Sequence, residues 1–216
     1  MMLGVIPARK GSKGIIRKNL HPLGDKRLID YTIEAAERSD LDDYVISTDI
    51  DELFGYTHVI PRPGELALDD TPTLPVIQHA VAEYERERNQ RVKAVMILQP
   101  TSPLRTAGDI NGAITMYRNS PNNDSLVSVV EGVHPMKSYN EQGRQFYDTR
   151  SPFDRHRYTC LTRNGAIFIT SRPLLDKGLL YSAMPKLFKM SKLHSIDIDD
   201  WDDLKIAEAL LRARRD

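Results

Sequence analysis

Two periods of apolar positions alternate along the chain. Short runs rich in β-branched residues recur at Leu3-Gly4-Val5-Ile6, Asp43–Asp49, Val95–Leu98, Ser125–Val130 and Asn164–Thr170. Runs of this length and composition read as strands. Between them the apolar positions fall three and four residues apart, the spacing of a helix face. Ile29, Ile33 and Ala36 make such a stripe over Leu28–Arg38. Leu74, Ile77, Val81 and Tyr84 make another beside Ala80, with Thr71 or Thr73 as its cap and a charged turn from Glu85 to Arg91 at its end. Ile110, Ala113, Ile114 and Tyr117 mark a helix over Thr106–Tyr117, and Trp201, Leu204, Ala207 and Leu211 one over Asp200–Arg214. Strand, helix and strand in succession form a βαβ unit, so the pattern predicts an α/β protein with a mostly parallel sheet. Val95–Leu98 shows no alternation, as expected of a central strand covered on both faces. Asp51–Tyr56 has room for one turn of helix before an edge strand at Thr57–Ile60, and Leu187–Met190 reads as a further short strand.

Composition narrows the class. At 216 residues, 40% apolar and 28% charged, the chain fits one globular unit of ordinary size. Lysine plus arginine equals aspartate plus glutamate at 30 each, which argues against a general nucleic-acid binder, since that affinity rests on neutralising many phosphates. The single cysteine, Cys160, allows no internal disulfide and reads as a structural thiol in a reducing compartment. No apolar run approaches the roughly 20 residues of a membrane span, and Pro7 and Arg9 interrupt any leader-like stretch, so a cytoplasmic location and no membrane partner are expected. From Glu131 to Thr162 the sequence turns polar and aromatic, which reads as an excursion from the sheet, lying over a site or against another subunit.

Three stretches carry candidate chemistry. The first strand runs into Arg9-Lys10-Gly11-Ser12-Lys13-Gly14-Ile15-Ile16-Arg17-Lys18, where two glycines free the backbone and five basic residues supply charge. Backbone amides in such a loop can form an anion nest, to which arginine and lysine add charge-assisted bonds. The spacing is neither that of a P-loop nor that of a dinucleotide fingerprint, so the motif alone indicates phosphate and stops there. The second stretch is Gln99-Pro100-Thr101-Ser102-Pro103-Leu104-Arg105, where two prolines hold polar groups at the tip of the central strand. The third is Asp197-Ile198-Asp199. On an extended backbone residues i and i+2 share a side, so both carboxylates could reach one cation, although helix capping accounts for them equally well.

The first loop with Lys18-Asn19-Leu20, the Leu98–Arg105 stretch and Ser195–Asp199 together resemble the cytidylyltransferases that activate nonulosonic acids, the CMP-sialic acid synthetase family. Arg62-Pro63-Gly64-Glu65-Leu66 and Asn164–Ile169 are similar to the family as well, and the match runs nearly end to end in the same order. The resemblance implies a three-layer, Rossmann-like nucleotidyltransferase fold. It implies a nucleotide-binding core at 1–130, a dimerisation and sugar-site excursion at 131–162, and a return to the core at 163–216. It also implies a homodimeric enzyme that joins CTP to a nine-carbon keto-acid sugar with Mg2+ and releases pyrophosphate. Arg9, Lys13, Lys18 and Gln99 then take catalytic roles. Ala8, Arg9, Gly11, Ser12, Lys13, Asn19, Arg62 and Thr73 bind the nucleotide. Gln99, Thr101, Ser102 and Asn164 meet the sugar, joined at its carboxylate by Arg155 or Arg157 and by Lys137 of the partner subunit. Asp197 and Asp199 become metal ligands. Two departures fall on the sugar side: Thr162 stands where the family has arginine before x-Asn-Gly, with Arg163 shifted by one, and the Arg155-to-Asn164 spacing is one residue short.

Overall fold

The computed structural model describes residues 1–120, 124–132 and 160–213. In chain order the described elements are β1 (Met2–Ala8), β2 (Pro22–Leu23), β3 (Lys26–Arg27), α1 (Leu28–Glu37), β4 (Asp43–Thr48), β5 (Val59–Pro61) and α2 (Thr73–Arg88). After these come β6 (Ala94–Ile97), α3 (Ala107–Arg118), β7 (Ser125–Gly132), β8 (Cys160–Ser171), α4 (Arg172–Asp176), β9 (Lys186–Met190) and α5 (Trp201–Ala213). Seven strands form one sheet in the order β5-β4-β1-β6-β8-β7-β9, and β2 and β3 pair separately. Within the large sheet β8 runs antiparallel to both its neighbours, β6 and β7, while the other pairings are parallel. The mostly parallel α/β sheet expected from the sequence is therefore present, with β6 fourth of the seven.

Side-chain alternation along the strands builds the layers. Ile6 of β1, Ile46 of β4 and Met96 of β6 face one side and pack on Ile29 and Ile33 of α1 and on Ile110, Ile114 and Tyr117 of α3. Leu3, Val5, Val45, Val95 and Ile97 face the other side and pack on Ile77, Ala80, Val81 and Tyr84 of α2. Each large side chain so buried contributes about 1.5–3 kcal/mol, and these two faces hold most of the core. A third, smaller cluster joins Leu204 and Ala207 of α5 to Ile15, Leu23 and Ile198, which ties the first loop to the segment before α5. Pro7 is tolerated in an inner strand because the β1–β6 ladder ends at Val5, so no partner there lacks a donor.

Several local expectations are corrected. The N-cap of α2 is Pro72, in extended backbone, and Thr73 is the first helical residue. The helix does not fray at Glu85 but runs to Arg88 and stops at Asn89, whose left-handed backbone (φ 51°) ends the turn. Val76 joins its buried face, while Leu74 is only partly covered. Residues 195–199 form an irregular segment and not a strand, held by the Ile198 amide donating to the Thr101 carbonyl at 2.8 Å. Trp201 is half exposed and packs edge-on against His21 instead of entering the core. The paired stem of the excursion extends to Gly132 and begins again at Cys160. Lys137, Arg155 and Arg157 lie outside the described residues.

Candidate active site

The parallel strands β1, β4 and β6 end along one edge, and the loops that leave them meet there, as expected for ligand sites in open α/β sheets. The first loop is curled by Ser12, whose hydroxyl donates to the Ile15 carbonyl and accepts from the Lys18 amide at 3.1 Å. Asn19 is buried beneath it and donates to the Arg9 carbonyl at 2.9 Å. The Lys10 amide donates to Asp49 at 2.7 Å, tying the loop to the end of β4. Four of its basic side chains rest on acids: Arg9 on Asp69, Lys10 on Asp51, Arg17 on Glu52 and Lys18 on Asp199. Lys13 has no ion-pair partner among the described residues and faces the cleft. Solvent-exposed pairs contribute only about 0–1 kcal/mol, so these cations can exchange carboxylates for phosphates at little cost.

The loop meets the Asp197–Asp199 segment directly. Lys18 Nζ lies 2.6 Å from the Ile198 carbonyl and 3.6 Å from the Asp199 carboxylate. A methyl group on Gly14 would sit 2.3 Å from the Asp199 carbonyl oxygen, so only glycine permits this approach. A cavity of about 470 Å³ opens between the two segments. Its walls include Arg9, Gly11, Ser12, Lys13, Lys18, Asn19, Arg62, Thr73, Gln99, Thr101, Asp197 and Asp199. Ala8 and Ser102 are fully buried and do not line it. Arg62 is held nine-tenths buried by donating to the Ser47 carbonyl at 2.6 Å, and burial pulls its pKa down to about 10.

A second cavity, of about 530 Å³, shares Thr73, Gln99 and Asp197 with the first. Its floor is an irregularity in β8. Val129 pairs with Arg163 and Val127 with Phe168, so Ser128 alone faces the four residues Asn164 to Ile167. Ser128 fills the gap, bonding the Asn164 side chain at 2.5 Å and accepting from the Ile167 amide at 2.8 Å. Asn164 in turn donates to Ser195 at 2.8 Å. The distortion places Gly165 at φ +73°, with room above it only for Gln99 Oε1 and Asp197 Oδ2, at 3.2 and 3.1 Å from where a Cβ would be.

Two structural residues of the site were not singled out by sequence reasoning. Arg105 is fully buried and donates to the Gln99 carbonyl at 3.2 Å, the Ala166 carbonyl at 2.7 Å and the Thr32 hydroxyl at 2.7 Å. It joins the tip of β6 to β8 and α1. Burial lowers its pKa to about 9, opposed by Asp109, which leaves it charged at neutral pH. The only sequence signal was a charge closing an otherwise uncharged, proline-braced loop. Ser128 carried no signal, being one hydroxyl in an apolar strand.

The Asp197 and Asp199 carboxylates suit a hard divalent cation. Burial raises the Asp197 pKa, Thr101's hydrogen bond opposes this, and the neighbouring Asp199 charge raises it further. One oxygen, Asp197 Oδ1, is buried without a hydrogen-bond partner among the described residues. A cation would supply that partner and relieve the like-charge cost. Two carboxylates with phosphate and water oxygens are a donor set that such a cation accepts.

A family profile described as Cytidylyltransferase matches residues 3–185. N-acylneuraminate cytidylyltransferase of Escherichia coli O18:K1:H7 is 32% identical over 95% of this chain, which spans about half (51%) of that relative's length. Pseudaminic acid cytidylyltransferase of Campylobacter jejuni serotype O:2 is 29% identical over 99% of this chain and 97% of its own. Among solved structures, CMP:2-keto-3-deoxy-manno-octonic acid synthetase complexed with CTP superposes with a TM-score of 0.72, covering 99% of both chains. At 17% identity that likeness shows the fold.

Proposed function

The chain belongs to the cytidylyltransferase family, and from that premise we propose that it transfers the cytidylyl group of CTP to a nonulosonic acid, a nine-carbon keto-acid sugar. The observation that carries this reading is the pair of adjoining cavities. One is walled by the basic first loop, and the two share Gln99, Thr73 and Asp197 at their junction. The sugars named for two relatives, N-acylneuraminate and pseudaminic acid, belong to this chemical class.

In the proposed reaction the sugar's anomeric hydroxyl oxygen bonds to the α-phosphorus of CTP, the bond from that phosphorus to the bridging oxygen breaks, and pyrophosphate leaves. Arg9, Lys13 and Lys18 compensate the triphosphate charge, each charge-assisted bond contributing about 1.5–3 kcal/mol. Ser12, Gly11 and the end of β1 at Ala8 shape the loop around the phosphates, with Asn19 supporting it from below. Arg62 and Thr73 border the base. Gln99, held by Arg105 through its own carbonyl, orients the attacking hydroxyl. Thr101, Asn164 and the buried Ser102 frame the sugar side. Asp197 and Asp199 would hold Mg2+, which when bound neutralises triphosphate charge and polarises the phosphoryl group. By the family resemblance residues 1–130 would be the nucleotide-binding part, 131–162 an excursion that pairs two copies into a homodimer and supplies Lys137 and either Arg155 or Arg157 for the sugar, and 163–216 the return. Among the described residues no helix is long and apolar enough to cross a membrane. A cytoplasmic enzyme fits a reaction that draws on CTP.

The test is pyrophosphate release from CTP or GTP with Mg2+ and a panel of N-acetylneuraminic, legionaminic and pseudaminic acids. Release with CTP and one acid, with GTP inert, is expected. Turnover with GTP, or CTP binding without turnover of any acid, would overturn the reading.

A further inference from the structure

We propose that His194 is a positioning residue: through Asp109 it fixes the irregular segment that carries Asp197, so that this carboxylate stands beside Gln99. The catalytic consequence rests on the reaction proposed above. Residues 191–199 form a turn followed by irregular backbone, and none of them lies in a strand. A carboxylate that shares a cation with a bound triphosphate tolerates a displacement of only about 0.5 Å, so the segment needs anchors. One is the Ile198 amide on the Thr101 carbonyl at 2.8 Å. A second is Asn164, which donates to Ser195 at 2.8 Å. A third is Lys18, whose Nζ lies 2.6 Å from the Ile198 carbonyl. Lys18 is also one of the cations a triphosphate would claim, so this third anchor weakens when nucleotide arrives. His194 supplies an anchor that no substrate competes for.

His194 Nδ1 lies 2.8 Å from the Asp109 carboxylate, and both side chains are largely buried. At that separation the nitrogen carries a proton, since two lone pairs would repel. Asp109 is itself fixed. It stands in the first turn of α3 and accepts from the Thr106 amide at 2.8 Å and the Thr106 hydroxyl at 2.7 Å, which closes a capping box. Thr106 directly follows Arg105, whose guanidinium holds the Gln99 carbonyl, and the Asp109 charge supports that buried cation. His194 therefore ties the chain, three residues before Asp197, to the block that sets Gln99. Gly112 lies on the same face of α3, one turn further on. A Cβ there would meet the Phe188 ring at 2.9 Å, so β9 lies against the helix at Phe188 and the turn after it at His194. Packing brings the turn to α3, and the imidazole fixes where it stops.

The experiment uses the whole chain as wild type, His194→Phe, His194→Asn, Asp109→Asn and the double variant Asp109→Asn/His194→Phe. Phenylalanine keeps the ring and removes the nitrogen, whereas asparagine puts an amide N–H near the place of Nδ1. Amide hydrogen exchange is followed by NMR at Ile198 in the metal-free, nucleotide-free protein. Leu98, whose amide bonds the Val5 carbonyl at 2.9 Å, is the control. In His194→Phe the Ile198 amide should exchange about tenfold faster or more, with Leu98 changed less than about twofold. The Mg2+ concentration for half-maximal pyrophosphate release should rise on the order of tenfold, as when a group that orients a metal ligand is lost. The KM for CTP at saturating Mg2+ should change less than about twofold. His194→Asn should return both readouts to within about threefold of wild type, and in the Asp109→Asn background His194→Phe should add less than about twofold. Unchanged Ile198 exchange in His194→Phe, equal acceleration at Leu98, asparagine no better than phenylalanine, or a full effect without Asp109 would each overturn the assignment. A wild type that releases no pyrophosphate with any acid would instead overturn the reaction, and the exchange measurement would still decide the clamp.

Discussion

The two loops that face each other across the cleft are built in opposite ways. The loop after β1 is exposed, rich in charge, and held by surface ion pairs to Asp69, Asp51 and Glu52. The loop after β6 is buried, braced by Pro100 and Pro103, and pinned from within by Arg105. The first can re-pair its cations when a triphosphate arrives, because each existing pair is weak. The second cannot shift without exposing buried acceptors on β8 and α1, so it keeps Gln99 and Thr101 in place. Charge recognition has been put on the adaptable side and alignment on the rigid side. The Asp197–Asp199 segment touches both, through Gly14 and Lys18 on one side and Thr101 on the other.

The contrast can be broken at its tightest contact. Gly14→Ala forces the first loop away from the Asp199 carbonyl, and a displacement of about 1 Å in such a constellation costs on the order of 100-fold in rate. Steady-state pyrophosphate release should show that loss, while thermal denaturation shows a shift of only a few degrees, since the glycine is exposed. Arg105→Met should do the reverse. Leaving the Gln99 and Ala166 carbonyls without a donor costs about 2–4 kcal/mol of stability, measurable by urea denaturation, with activity falling roughly tenfold as Gln99 loosens. Full stability in that variant would remove the rigid half of the contrast. Asp69→Asn should have the smallest effect. It frees Arg9 from an exposed pair, so stability should change by less than about 0.5 kcal/mol and the KM for CTP should fall up to about threefold. A rise in that KM would mean that Asp69 positions Arg9 instead of competing for it.

Much of this was legible in the chain. The apolar runs located the strands because a strand buried on both faces has no alternative composition. The basic loop, the proline-braced tip and the paired aspartates were visible because each is contiguous. Where the reading slipped, long-range packing had overridden a local cue. Thr73 was read as a possible cap, yet it is the first helical residue and lines both cavities. Ser102 shares a polar tip with Gln99 and Thr101, but its hydroxyl is turned into the protein. Asp197 and Asp199 do not stand on a strand, and they differ sharply in exposure.

By itself the sequence determined the layered α/β plan and which residues carry charge at the cleft. These follow from composition and spacing along the backbone, which folding does not alter. Only the tertiary structure decided that Gly14 lies against Asp199, that Arg105 binds three elements under Gln99, and that Ser128 lifts Asn164 and Gly165 out of register. Each of these joins residues at least 36 positions apart. Such contacts depend on where whole elements settle against one another, and no local pattern of apolar and polar residues encodes that.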